Sequence, residues 1–198
     1  KYNLFSQVIP FSWELSSLVS IHTDLVVLKP NSSKYWYIIL LSSRLDLSVS
    51  SKIVNANFLK IALEYSQSFN GLILSYPSNH KIDNNGMINE GLVSAKIGIK
   101  GMPDISESIQ ISRDIQILEY TGGKLHIPFI SSRRSLDLIR TAKKNKLDIS
   151  CSVALPHLLF SEDDVEHFDS NFKIFPPLRS KDDRIALKEG LLEGVIDM

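Results

Sequence analysis

The chain has 198 residues, 22 lysines and arginines against 22 aspartates and glutamates, and a single cysteine, Cys151. That length supports one domain with a sizeable core but falls short of the ~250 residues of a typical closed eight-unit α/β barrel. Zero net charge excludes the basic field that nucleic-acid or anionic-membrane binding draws on, no apolar run approaches the ~20 residues of a membrane span, and one cysteine excludes an internal disulfide and fits a reducing cytoplasm. The N-terminus also lacks a basic-then-apolar signal pattern. The expectation is a soluble cytoplasmic globular protein that binds neither nucleic acid nor membrane.

In chain order, residues 2–10 and 24–28 read as buried strands. The second (DLVVL) is continuously apolar, as expected of a parallel strand covered on both faces. Residues 31–34 and 42–52 are rich in serine and asparagine and read as loops, and the apolar run 35–41 between them has strand length. Residues 55–69 (NANFLKIALEYSQSF) place Phe58, Leu59, Ala62, Leu63 and Tyr65 near one helical face, closed by Asn70-Gly71. A strand follows at 72–76. Residues 103–121 form a helix: Pro103 suits its first turn, Asp104 and Glu107 sit near its positive end, and Gly122-Gly123 stop it. Strand 124–130, helix 133–145, strand 148–153 and helix 181–192 complete the pattern. Strand-then-helix units joined by short loops imply parallel strands with crossover helices, hence an α/β sheet or barrel in one domain.

In such folds ligands meet the C-terminal ends of the strands. The informative positions are therefore Lys29 after DLVVL, Tyr76 after LILS, Phe129 after LHIP, His157 shortly after ISCSV, and Phe175 before PPLR. They are the candidate cleft residues. A hydrolytic metal centre would need histidines and carboxylates there, to hold a cation and bring its water to a pKa of roughly 7. A phenyl ring has no lone pair to donate, so Phe129 and Phe175 cannot be ligands. No catalytic or metal-ligating residue is assigned.

Three segments carry a family likeness: residues 121–132 (TGGKLHIPFISS), 153–160 (VALPHLLF) and 172–179 (FKIFPPLR). With the helices between them they resemble the dihydroorotases of the amidohydrolase superfamily, whose corresponding segments run roughly TGGxLHIxHVS, VTPHHLLL and FKVNPPLRS. Residues 89–101 (NEGLVSAKIGIKG) are similar to that family's HEGxxSARLGLxG. The likeness is continuous from about residue 55 to 197, looser over 2–28 and poor over 31–54. It implies a partial or complete (β/α)8 amidohydrolase barrel and a zinc-dependent hydrolase that interconverts dihydroorotate and N-carbamoyl-L-aspartate in pyrimidine biosynthesis.

Against that pattern Tyr76 and Phe129 stand at histidine positions, and Phe175 at an asparagine position. The family's HxHxR motif is absent. The chain ends at GVIDM, before the family's TDHAPH-like segment, so it is either a portion of a longer protein or lacks those motifs outright. Lys29 resembles a lysine that some relatives carbamylate to bridge two metals; a solvated strand-end lysine is the simpler reading. The sequence thus points to a non-catalytic dihydroorotase-like protein with no cofactor, which acts by self-association or by assembly with aspartate transcarbamoylase, a partner known for several dihydroorotases. An active zinc enzyme drawing ligands from elsewhere remains the alternative. A third reading has the three aromatic residues lining a pocket for a more apolar ligand.

Among the remaining residues, His126 is expected as a hydrogen-bonded core histidine and His157 as a helix-start or cleft-wall residue. His22, His80 and His167 are expected at the surface and Cys151 as an inert core thiol. Glu162, Asp163 and Asp164 after Ser161 read as a capped helix start, Arg133 and Arg134 as a solvated helix face, and Arg179 as paired with Asp182 or Asp183.

Overall fold

A computed structural model describes residues 19–22, 25–28 and 37–40 by their backbone, and residues 55–83, 85–166 and 169–198 in full. Six strands form one sheet: β1 (Val19–His22), β2 (Leu25–Leu28), β3 (Tyr37–Leu40), β4 (Leu72–Leu74), β7 (Lys124–Ile127) and β8 (Ile149–Cys151), side by side in that order. Strands β3, β4, β7 and β8 run parallel, with Leu72 facing Lys124 and Leu125 facing Ile149 in register. A separate two-stranded parallel pair, β5 (Ile88–Asn89) and β6 (Gly101–Met102), lies in the connection after β4.

The strand expected at 24–28 is present as β2 but is antiparallel to both neighbours, which corrects the parallel reading. Connection length is the reason. Two residues separate β1 from β2 and eight separate β2 from β3, whereas a parallel crossover needs a dozen or more. An unbroken apolar run reports burial on two faces and says nothing about direction. Residues 2–10, 31–34, 42–52, Lys29 and His167 lie outside the described residues.

The helices follow from capping and apolar spacing. Helix α1 (Ala56–Ser66) begins at Asn55, whose side chain accepts the Asn57 amide at 2.9 Å, and buries Leu59, Ala62, Leu63 and Ser66. Short helices α2 (His80–Asp83) and α3 (Leu92–Ile97) flank the β5–β6 pair. Helix α4 (Ile105–Thr121) buries Ile111 and Leu118 beside Ser106, Glu107, Gln110 and Asp114, an unusually polar inner face. Helix α5 (Arg133–Lys144) is capped by Ser132, and a brief α6 (Leu155–Leu159) precedes α7 (Lys181–Leu192), where Ser180 and Asp183 form a reciprocal capping box. Helix α1 packs on α4, α4 on α5, and α5 on α7, so the helices make a layer in the same order as the strands they follow.

Between the two layers sits the core: Leu59, Leu63, Ile73, Ile111, Leu118, Leu125, Ile127, Leu136, Ile139 and Leu187 are essentially sealed. Each such side chain contributes about 1.5–3 kcal/mol by leaving water. Cys151 joins this core, where burial pushes its thiol up to about 12. His126 is likewise buried, with its two ring nitrogens on Ser150 Oγ at 2.8 Å and Ser152 Oγ at 3.3 Å. His80 is exposed. At the far edge of the sheet, residues 195–198 lie along β8. The Asp197 amide donates to the Cys151 carbonyl, the Val153 amide donates to the Met198 carbonyl, and the Asp197 carboxylate accepts from the Cys151 amide and from Lys143.

Candidate functional site

Tyr76 stands two residues beyond β4, and Phe129 two residues beyond β7. Phe175 lies on the segment leading to α7, joined to Pro176 by a cis peptide bond. From three distant stretches of sequence the fold brings these rings together at the C-terminal ends of the parallel strands. Tyr76 and Phe175 stack with centroids 5.7 Å apart and planes 12° from parallel, and Phe129 meets Tyr76 at 6.4 Å and 55°. Phe129 and Phe175 remain 44% and 47% exposed, so the cluster forms a partly open aromatic surface. Phe129 holds a left-handed backbone (φ 56°), which is costly for a side chain of that size, and its amide donates to Ser152 Oγ. Burial, reinforced by Glu107 and Asp83 and opposed by Arg179, holds the Tyr76 hydroxyl well above the usual phenol range, so it stays protonated.

His157 supports this surface from behind. It lies in α6, is 3% exposed, and its Nε2 meets the carbonyl of Pro176 at 3.0 Å. Only a protonated Nε2 can bond a carbonyl, so Nδ1 of the neutral ring carries the lone pair, and it has no hydrogen-bond partner among the described residues. Burial holds this imidazole below the usual histidine range. The ring thereby props the loop that presents Phe175. Of the expected cleft residues, Tyr76, Phe129 and Phe175 converge, His157 sits beneath them, and Lys29 falls outside the described residues.

Below the aromatic rings lies a polar layer that the sequence did not reveal. The buried Glu107 carboxylate accepts from the backbone amide and hydroxyl of both Ser131 and Ser132. Asp83, also buried, takes hydroxyls from Ser78 and Ser106. Arg179, 4% exposed, donates from Nε to Ser131 Oγ at 3.1 Å, and from Nη1 to Asn89 Oδ1 at 2.8 Å and the Met102 carbonyl at 2.6 Å. Asn89 in turn donates to Glu162. The expected pairing of Arg179 with Asp182 or Asp183 is corrected: Asp183 is engaged by Ser180 and by the Arg133 amide. Glu107, expected as a charge near a helix N-terminus, instead points inward to the serines after β7. Ser161 caps the acidic turn with Asp164, as expected, and Arg134 stays exposed beside Asp104. A cleft lined by Pro77, Asp83, Glu107, Phe175, Pro176 and Arg179 connects the two layers.

Zinc takes imidazole, thiolate or carboxylate donors in tetrahedral array. At these strand ends the structure offers a protonated phenol and two phenyl rings, and among the described residues no group of three or more histidines, cysteines or carboxylates is placed to hold an ion. The described residues do not fit the zinc centre that the family resemblance implies. No described helix is long and apolar enough to cross a membrane.

No family model matches the chain. Among curated proteins it is similar to the dihydroorotase of Anaplasma phagocytophilum, 41% identical over 146 residues, which cover 73% of this chain and 33% of that protein. The dihydroorotase of Carboxydothermus hydrogenoformans is 39% identical over 137 residues, covering 69% and 32%. Among solved structures it superposes on the L-hydantoinase of Arthrobacter aurescens with a TM-score of 0.65 at 20% identity, over 81% of this chain and 36% of that one. The D-hydantoinase of a Thermus species gives 0.62 at 21% identity, over 73% and 33%. These likenesses identify the open sheet and its helices as part of an amidohydrolase α/β barrel. The chain spans about a third of the length of the curated relatives it matches.

Proposed function

This chain belongs to the dihydroorotase family of the amidohydrolase superfamily, and from that premise we propose that it serves pyrimidine biosynthesis as a non-catalytic member that acts by binding. One observation carries the reading: Tyr76, Phe129 and Phe175 pack against one another at the strand ends, where a hydrolytic centre would need lone pairs. The surrounding scaffold, by contrast, is intact, with a sealed core and a fully bonded Glu107 beneath the rings. Such a protein keeps the shape of an enzyme for assembly, and aspartate transcarbamoylase is the partner we assign to it.

Metal analysis of the purified full-length protein, paired with an assay of dihydroorotate hydrolysis in added zinc, tests the loss of catalysis. The expected result is sub-stoichiometric zinc and no turnover; tightly held stoichiometric zinc with turnover overturns it. Mixing the same protein with aspartate transcarbamoylase and sizing the product tests the assembly role, with a co-migrating complex expected. A second reading, an active zinc-dependent cyclic-amide hydrolase, is favoured by the 41% identity to a relative named dihydroorotase. It would draw its metal ligands from outside the described residues, and the same turnover assay decides between the two.

A further inference from the structure

Asparagine is followed by glycine twice in the chain, at Asn70-Gly71 and Asn85-Gly86. Both asparagines are exposed and hold a left-handed backbone, with φ of 57° and 58°. Asparagine is a thermolabile residue, and a glycine after it leaves the backbone nitrogen unshielded by any Cβ. That nitrogen can then attack the carbon of the side-chain amide. Whether it does depends on how readily the fold releases the glycine amide, which is hydrogen-bonded in both pairs: Gly71 donates to the Ser66 carbonyl and Gly86 to the Asp83 carbonyl, each at 2.8 Å.

The two bonds are equal in length, but their surroundings differ. Gly71 is buried, and the next residue opens β4 within the six-stranded sheet. Releasing its amide unravels the turn that closes α1 and the entry to a core strand. Gly86 instead follows the single turn of α2 and leads into β5, two residues paired with the two residues of β6 apart from the main sheet. Its amide comes free when one turn bond breaks and Gly86 lifts from the Gly101 backbone. Local opening costs little at such margins and approaches the global unfolding free energy in core strands.

We propose that Asn85 is a site of spontaneous deamidation and isoaspartate formation, while Asn70 is protected by the fold. The Gly86 nitrogen bonds to the Asn85 side-chain amide carbon, the bond from that carbon to the side-chain nitrogen breaks, and ammonia leaves with the proton that Gly86 gives up. Water then opens the resulting succinimide. Attack at the side-chain carbonyl yields aspartate, and attack at the main-chain carbonyl yields isoaspartate. The second product adds a methylene to the main chain where Gly86 lies so close to Gly101 that a Cβ would overlap its carbonyl oxygen. The bond from the Met87 amide to the Lys100 carbonyl and the register of Ile88 with Gly101 and Asn89 with Met102 then shift. Because Asn89 and the Met102 carbonyl both accept from Arg179, the disturbance reaches the cleft. None of this depends on whether the protein turns over a substrate, so the zinc and turnover assays leave it untouched.

The full-length protein is aged in mildly alkaline buffer, native and in denaturant, and the two Asn-Gly peptides are followed by mass spectrometry, with isoaspartate detected by enzymatic methylation. In the native protein the Asn85 peptide is expected to convert at least about tenfold faster than the Asn70 peptide, a ratio equivalent to ~1.4 kcal/mol of difference in local opening. In denaturant the two rates should come within about twofold, since protection by the fold is then gone. Hydrogen exchange at the Met87 and Glu90 amides should speed up in the aged protein, and should not in an aged Asn85→Ser variant, whose exposed position tolerates the change. Native conversion that is equal at both sites, faster at Asn70, or absent at Asn85 overturns the proposal. So does exchange in the aged protein that matches the fresh one after Asn85 has converted.

Discussion

At residue 107 one carboxylate collects amide and hydroxyl donors from two consecutive serines, and one of those hydroxyls also receives Arg179. An amide in its place would turn half of that acceptor into a donor facing donors. Glu107→Gln is therefore expected to lower the unfolding free energy by ~1–3 kcal/mol, measured by urea denaturation, whereas Glu119→Gln on an exposed face of the same helix changes little. The residues of this layer were hidden in the sequence for a physical reason. Glu107 meets Ser131 across 24 positions, and Arg179 meets Asn89 across 90; no local pattern encodes such pairs. The nearest available signal was Glu107 itself, an acidic residue one turn into a helix, and it suggested a dipole role instead. Tyr76, Phe129 and Phe175 were legible as positions, because strand ends can be read from apolar runs. Their stacking was not, since it depends on the left-handed turn at Phe129 and on the route of the chain before Pro176.

Helices were the most legible elements. The expected spans 103–121, 133–145 and 181–192 became Ile105–Thr121, Arg133–Lys144 and Lys181–Leu192, because caps and glycine stops are written locally. The expected helix 55–69 divides at its end into α1 and a short 3-10 turn, Gln67–Phe69, closed by Asn70 in a left-handed conformation. Strands were found but overrun: 124–130 shortens to Lys124–Ile127, and 148–153 to Ile149–Cys151. Pairing, not propensity, decides where a strand stops, and Pro128 has no amide to extend the ladder. Strands β1, β5 and β6 carry no such signal, since two to four residues without an unbroken apolar run leave too few positions for a period to show. Capping gives this scale its own test. Ser180→Ala removes the hydroxyl that accepts the Asp183 amide at 3.2 Å and donates to its carboxylate, and should cost ~1 kcal/mol of stability by thermal or urea unfolding.

For the molecule as a whole, its buried titratable groups shape the dependence of stability on pH. His126 and His157 are both held below the ordinary imidazole value, chiefly by burial. Protonation therefore favours the unfolded chain: their contribution is complete above about pH 6.5, the unfolded value, and is lost as pH falls toward their folded values. Asp114, raised mainly by burial against the pull of Arg113, slopes the opposite way from the ordinary carboxyl value upward. The histidines' share of the pH dependence is therefore a fall of unfolding midpoints as pH drops below about 6.5. Replacing both histidines with glutamine should flatten that limb. On the alkaline side, Cys151 moves from 9.0 to about 12, so its contribution fades as pH rises across that interval, and Cys151→Ala should reduce the slope there. A melting series in wild-type and variant proteins reads both limbs; an acid limb unchanged without the histidines would show that other groups govern it.

The tie between residues 195–198 and β8 has a further consequence. A parallel strand at the margin of a sheet presents unsatisfied amides and carbonyls on which a stranger's backbone can template itself. Here the Cys151 carbonyl and the Val153 amide are already engaged by Asp197 and Met198, and the Asp197 carboxylate, held by Lys143, takes the Cys151 amide as well. Among the described residues, that segment thus occupies the Cys151 and Val153 backbone groups with which another chain's strand would otherwise pair.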